Sequence, residues 1–267
     1  MNSSPRPVTT LTLQRMKGKQ EKIVMLTAYD FTMAQLLDEA GVDVLLVGDS
    51  LGMVVQGHST TIPVTIQQMI YHGEMVVRAA KRAMVVVDLP FPHGQLGVSR
   101  TLRVAAKVMK KTGCQAIKLE GGAMQAETIR AMVSAGIPVI AHVGLRPQSV
   151  HALGGYRIQR DGQRLIDDAQ AAEDSGAFCV LMECVPQDLA RKVTDNLSVP
   201  TIGIGAGPHC DGQVLVTHDI LGLSPSGKTP KFVRSQMNLA EQIRQAVASH
   251  HSSVREGHFP NKSESFD

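Results

Sequence analysis

Short runs of β-branched and other apolar residues recur along the chain, at 23–28, 42–48, 83–87, 116–119, 138–141, 178–182, 200–205 and 213–217, most closing on a glycine or a polar side chain. Runs this short and this continuously apolar predict strands buried on both faces. Between them lie stretches of helical character, at 31–40, 65–82, 99–111, 124–135, 162–175 and 187–196. Gly41, Gly113, Gly136 and Gly176 stand where such helices should end, as a left-handed C-terminal cap requires. Strand followed by helix, repeated, predicts parallel pairing through helical crossovers. Eight such units in one chain of this length fit a (β/α)8 TIM barrel better than a doubly wound sheet. Residues 206–212 leave room for one helical turn only, and residues 10–17 read as a short N-terminal helix capping the bottom of the barrel. The expected organisation is a single barrel domain over 1–267, with a polar tail from about Ser249.

Composition narrows the partners. Only 3% of residues are aromatic and none is Trp, while 43% are hydrophobic, which suits parallel strands covered by helices better than an aromatic-rich sandwich. The net charge of +3 is spread along the chain and forms no basic stripe with interleaved aromatics, so nucleic acid is not expected as a partner. No apolar stretch approaches the roughly 20 residues that span a bilayer, and residues 1–20 lack a signal-peptide core. Cys114, Cys179, Cys184 and Cys210 form no C-x-x-C pair, which points to reduced thiols and a cytoplasmic location.

Barrels of this kind carry their chemistry at the C-terminal ends of the strands. The residues found there are Tyr29 and Asp30, Asp49 and Ser50, Asp88, Lys118 with Glu120, His142, Glu183, the 205–207 glycine segment, and His218 with Asp219. A lone acid after a strand is commonly a helix N-cap or a turn residue. Asp49, Asp88 and Glu120, however, close three strands that neighbour one another at about 4.8 Å, so their carboxylates converge and need a counter-charge. Hard oxygen donors without a His or Cys cluster point to Mg²⁺. Lys118 and Glu120 are two apart and share a face, which sets an ammonium where a substrate carboxylate would lie; a plain salt bridge to a neighbouring acid is the competing reading. Glu183 follows an apolar run, across the barrel from the three acids, and burial raises a carboxyl into the range of a general base; against this stands an acid that merely opens the next loop. His142 reads equally as a binder of a substrate oxygen and as a hydrogen-bonded barrel histidine.

Two motifs mislead. Gly203-Ile204-Gly205-Ala206-Gly207-Pro208 resembles a dinucleotide loop, but Pro208 replaces the last glycine and no long helix follows. Lys110-Lys111-Thr112-Gly113-Cys114 looks like the lysine and cysteine signature of isocitrate lyases but precedes a strand, which places it at the bottom of the barrel.

From about Thr10 onward, "TAYDFTMA", "LLVGDSLGMVVQGHSTTIPVT", "DLPF", "IKLEGG", "AHVGLRPQSV", "ECVP", "IGIGAG", "DGQVLV" and "PKF" follow one another in the order of the ketopantoate hydroxymethyltransferase family, which the chain closely resembles. The resemblance implies a (β/α)8 enzyme that uses Mg²⁺ to transfer a hydroxymethyl group from 5,10-methylenetetrahydrofolate to 3-methyl-2-oxobutanoate. It implies Asp49 and Asp88 as metal ligands that also contact the oxo acid, Glu120 as a third ligand, Ser50 and Lys118 as substrate binders and Glu183 as proton acceptor. It further implies a ring-like homo-oligomer such as a decamer. A divalent cation holding the 2-oxo group and carboxylate would acidify the C3 proton for Glu183.

Two segments depart from the family. Pro92-His93-Gly94 stands where a small residue and a Tyr are common, and the loop 154–163 is short, without the Gly that normally follows Gln159. The competing functions are another Mg²⁺-dependent enzyme of 2-oxo acids, of the isocitrate lyase or phosphoenolpyruvate mutase type, and a non-catalytic barrel that binds an oxo acid. A catalytic Cys in a strand-end loop would favour the former, and loss of an acid at 49, 88, 120 or 183 the latter.

Overall fold

Successive side chains of a strand face opposite ways, so strands curled into a barrel must fill an interior and an outer face at once. The chain does this with eight parallel strands in sequence order: β1 (Ile23–Thr27), β2 (Val44–Val47), β3 (Met84–Asp88), β4 (Ala116–Glu120), β5 (Val139–Gly144), β6 (Cys179–Glu183), β7 (Thr201–Ile204) and β8 (Gly212–Leu215), with β8 closing on β1. The computed structural model describes residues 6–266 except 153, 156, 157, 159 and 225–228. The expected TIM barrel is therefore the observed one.

Alternation produces two cores. Met25, Val44, Leu46, Val86, Ile140 and Leu181 belong to the interior cluster, together with Leu13 of the N-terminal helix α1 (Thr10–Gly18). That helix starts on a capping box in which Thr9 and Thr12 exchange hydrogen bonds at 3.2 Å, and its Leu13 is wholly buried. It is the bottom cap expected from residues 10–17. The second cluster joins the outer strand faces (Leu45, Val47, Val85, Val87) to the surrounding helices. These are α2 (Phe31–Glu39), α3 (Leu51–Val54), α4 (Ile66–Ala79), α5 (Val98–Thr112), α6 (Ala126–Ser134), α7 (Gly162–Asp174) and α8 (Gln187–Asn196).

Three local differences from expectation have physical causes. Helix α4 stops three residues short of 82 because the buried Asp38 carboxylate takes the amide N–H groups of Lys81 (2.9 Å), Arg82 (3.1 Å) and Ala83 (2.6 Å), turning the chain into β3. The helix α3, unforeseen, forms directly after Ser50 from residues whose unbroken apolar character hides their period. The β7–β8 connection contains no helix among its residues; it stays compact because Gly212 lies against the Ile23 backbone, where a Cβ would sit 2.6 Å from the carbonyl oxygen.

The described residues divide into two compact units between Val216 and Thr217. The second contains α9 (Thr217–Ile220) and α10 (Leu239–Arg255), the latter starting on an Asn238 cap and running through Ser249, where the polar tail was expected. Among the described residues no helix is long and apolar enough to cross a membrane.

Candidate active site

The top layer of the barrel interior is polar because three adjacent strands end in charge. Strand register sets Asp88 level with Lys118 and Glu120 level with His142, while Asp49 follows β2 after a single glycine. All five side chains are buried. The Lys118 ammonium donates to Asp88 Oδ2, and Asp88 Oδ1 is left buried with no partner. His142 stands between two acids, its Nδ1 3.8 Å from Glu120 Oε1 and its Nε2 3.3 Å from Glu183 Oε2, neither in hydrogen-bond geometry. Glu183 is thus closer to the acidic group than a position across the barrel suggested: a single imidazole separates it from Glu120. Its side chain keeps 17% of its surface exposed, which leaves a route for a substrate.

Ser50 does not cap α3 with its hydroxyl. It shares a hydrogen bond of 2.7 Å with the Tyr29 hydroxyl, and Tyr29 is held in turn by His72, whose Nδ1–H donates to the Tyr29 carbonyl at 2.6 Å. Asp30, by contrast, is the ordinary helix cap that its position allowed, accepting from the Met33 amide at 2.8 Å. His218 and Asp219 belong to the second unit.

Burial dominates the electrostatics. It pushes the Asp49 and Glu120 carboxyls above their ordinary range and Asp88 up to about 7, with Lys118 opposing in each case. Burial pulls the Lys118 ammonium down, but Asp88, Asp49 and Glu120 together outweigh it and hold the ammonium charged. The His142 imidazole is pushed well below its usual value by burial and then by Lys118, so it is neutral. Burial raises Glu183 to about 7. A carboxyl there is poised to exchange a proton near neutrality.

One residue of this layer escaped the strand-end reading. Gln148, on the 3₁₀ turn Pro147–Ser149, donates from its side-chain nitrogen to Asp49 Oδ2 (2.9 Å) and to the Leu89 carbonyl (2.8 Å), and from its backbone N–H to Glu120 Oε2 (3.2 Å). Nothing in periodicity or strand position marks it.

Among the described residues no three or more His, Cys, Asp and Glu side chains are grouped so as to hold a metal ion between them. A hard cation of the Mg²⁺ type does not need such a group, because it binds through one or two carboxylates and keeps water or substrate oxygens in its other positions. The unpartnered Asp88 Oδ1 beside buried Asp49 is a donor set that fits it. The misleading motifs fall where expected. Gly113 is the left-handed cap of α5, with Cys114 just before β4, and a Cβ on Gly207 would sit 2.4 Å from that of Gln187, so close packing accounts for that glycine. Cys184, the thiol near Glu183, is raised to about 11 by burial and by that neighbour, which is unsuited to a nucleophile. Of the short loop 154–163, positions 156, 157 and 159 lie outside the described residues.

The model of the ketopantoate hydroxymethyltransferase family matches residues 7–262. A 3-methyl-2-oxobutanoate hydroxymethyltransferase of Rhodopirellula baltica is 63% identical over 97% of this chain and 96% of its own length. One of Syntrophus aciditrophicus is 50% identical over 99% and 98%. Among solved structures, phosphonopyruvate hydrolase in complex with oxalate and Mg²⁺ is similar with a TM-score of 0.60, at 14% identity over 96% of this chain and 93% of that one. 2,3-Dimethylmalate lyase, of the phosphoenolpyruvate mutase/isocitrate lyase superfamily, reaches 0.59 at 16% identity, over 96% and 91%. At such identities these structures share the fold.

Proposed function

The chain belongs to the ketopantoate hydroxymethyltransferase family, and from that premise we propose a mechanism in which the buried layer at the top of its barrel enolises 3-methyl-2-oxobutanoate for hydroxymethyl transfer. The enzyme is a transferase that makes ketopantoate, the step of pantothenate biosynthesis for which its relatives are named. The one-carbon donor in this reading is 5,10-methylenetetrahydrofolate.

The observation that carries the reading is the division of labour within one layer: Asp88 Oδ1 buried without a partner at one side, Glu183 raised to about 7 at the other. Asp49 and Asp88 would hold Mg²⁺ directly, with Glu120 as the outer ligand. When bound, the cation supplies Lewis acidity to the 2-oxo and carboxylate oxygens of the substrate. Lys118 contributes a permanent positive charge to the carboxylate end. Ser50, fixed by Tyr29, offers its hydroxyl to a substrate oxygen. Glu183 takes the C3 proton, and neutral His142 lies between that base and Glu120 without adding a charge of its own. The C3 carbon then attacks the one-carbon unit of the folate, and one water completes its release as the hydroxymethyl group of ketopantoate with free tetrahydrofolate. A cytoplasmic setting fits the four free cysteines, and a homo-oligomer of decamer type belongs to the same reading.

In D₂O with Mg²⁺ and no folate, the protein should exchange the C3 hydrogen of 3-methyl-2-oxobutanoate for deuterium, followed by proton NMR. Glu183→Gln should lower the exchange rate by at least about 10²-fold, the usual worth of a positioned base. A variant that exchanges as fast as the parent would remove Glu183 from the role. Ketopantoate formation on adding methylenetetrahydrofolate tests the second half.

A further inference from the structure

Gln148 joins elements far apart in the chain. Its side-chain nitrogen reaches Asp49, 99 positions away, and the carbonyl of Leu89, 59 positions away; its backbone N–H reaches Glu120, 28 positions away. Its side-chain oxygen accepts from Gln95 Nε2 at 3.4 Å. The residue is 4% exposed. Both acceptors of its nitrogen, a carboxylate oxygen and a carbonyl oxygen, can only accept, so the orientation of the amide is determined and both N–H groups are spent. The bond to Asp49 Oδ2 fixes the orientation of the carboxylate while leaving lone pairs on both of its oxygens for a ligand. Glu120 is fixed from the same residue by a bond that no side-chain substitution removes.

We propose that Gln148 is a positioning residue, holding Asp49 and Glu120 in the arrangement that receives the divalent cation and the oxo acid. The assignment rests on the cation reading above. It differs from a plain packing role in what it predicts: an outer partner that orients a ligand changes metal affinity by about 10- to 100-fold when removed, while a packing residue changes stability.

The test uses two variants of the full chain, Gln148→Met, which keeps the length of the side chain and loses its N–H groups, and Gln148→Glu, which keeps the shape and sets an acceptor against Asp49. Mg²⁺ binding is measured by calorimetry on the enzyme alone, and KM and kcat for deuterium exchange at C3 are measured beside the thermal midpoint. The expected result is a Mg²⁺ Kd raised at least about 10-fold and a KM for 3-methyl-2-oxobutanoate raised with it, with a smaller change in kcat at saturation. Kd and KM within about twofold of the parent, in whichever variant folds, overturn the proposal. Loss of the fold in both variants also overturns it, in favour of a purely structural role. If the parent exchanges C3 hydrogen but binds no Mg²⁺, the cation reading fails by itself, and the KM ratio alone decides for or against Gln148.

Discussion

At the scale of single residues, the site is governed by the cost of burying charge. Glu183 is raised to about 7 by burial alone against the pull of Lys118, and only its ionised form can accept the C3 proton. The exchange rate should therefore climb about tenfold per pH unit below 7 and level off above it; a profile already flat at about pH 5 would mean that another group is the base. The linked stability has a definite sign. A carboxyl whose folded value exceeds its ordinary 4.5 keeps its proton where the unfolded chain has released it, so its contribution is present below that value and is lost as the pH rises through about 7. The acids and Lys118 were readable from sequence because strand ends in a parallel barrel point to one face. The role of Gln148 was not, because its burial and its four partners, Asp49, Leu89, Gln95 and Glu120, arise from segments brought together only by the fold, and a glutamine in a turn has no period. His142 could be placed but not interpreted until both flanking carboxylates were located.

Elements transmit this arrangement through close backbone contacts. Gly144 ends β5 with φ at +88° and pairs with Glu183, and a Cβ there would lie 2.5 Å from the Glu183 carbonyl oxygen and 2.8 Å from Val185 Cγ2. Gly144→Ala combines a left-handed non-glycine residue with overpacking, so urea unfolding should show a loss of about 2–5 kcal/mol. The exchange rate should fall as well, because the strand end that carries Glu183 is displaced. A loss under about 0.5 kcal/mol would show that β5 and β6 can part without strain. The eight strands were legible because each is a short, largely apolar run between polar breaks. The helix α10 was not read as one, although Ile243 and Val247 stand four apart on it, because its polar composition resembles a tail, and none of its described residues is buried. The atypical 92–94 segment is also tied to the site: it leads into the 3₁₀ turn His93–Gln95, whose Gln95 donates to Gln148.

For the molecule as a whole, stability and chemistry occupy opposite ends of the same barrel. Leu13, wholly buried, belongs with helix α1 to the apolar interior cluster. Leu13→Ala should cost about 2–5 kcal/mol in denaturant unfolding while leaving the exchange kcat/KM within about twofold of the parent at temperatures where the variant is folded. A large loss of exchange would mean that the two ends are coupled through the interior. The bonds of Gln148 also have a meaning in folding time. One residue in the turn after β5 ties together the ends of β2, β3 and β4, over separations up to 99 positions, and contacts of such range are slow to form because loop closure must precede them. A chain caught with its apolar layers collapsed but one of those strands astray would be compact and catalytically silent, so activity itself reports that these four strands have met.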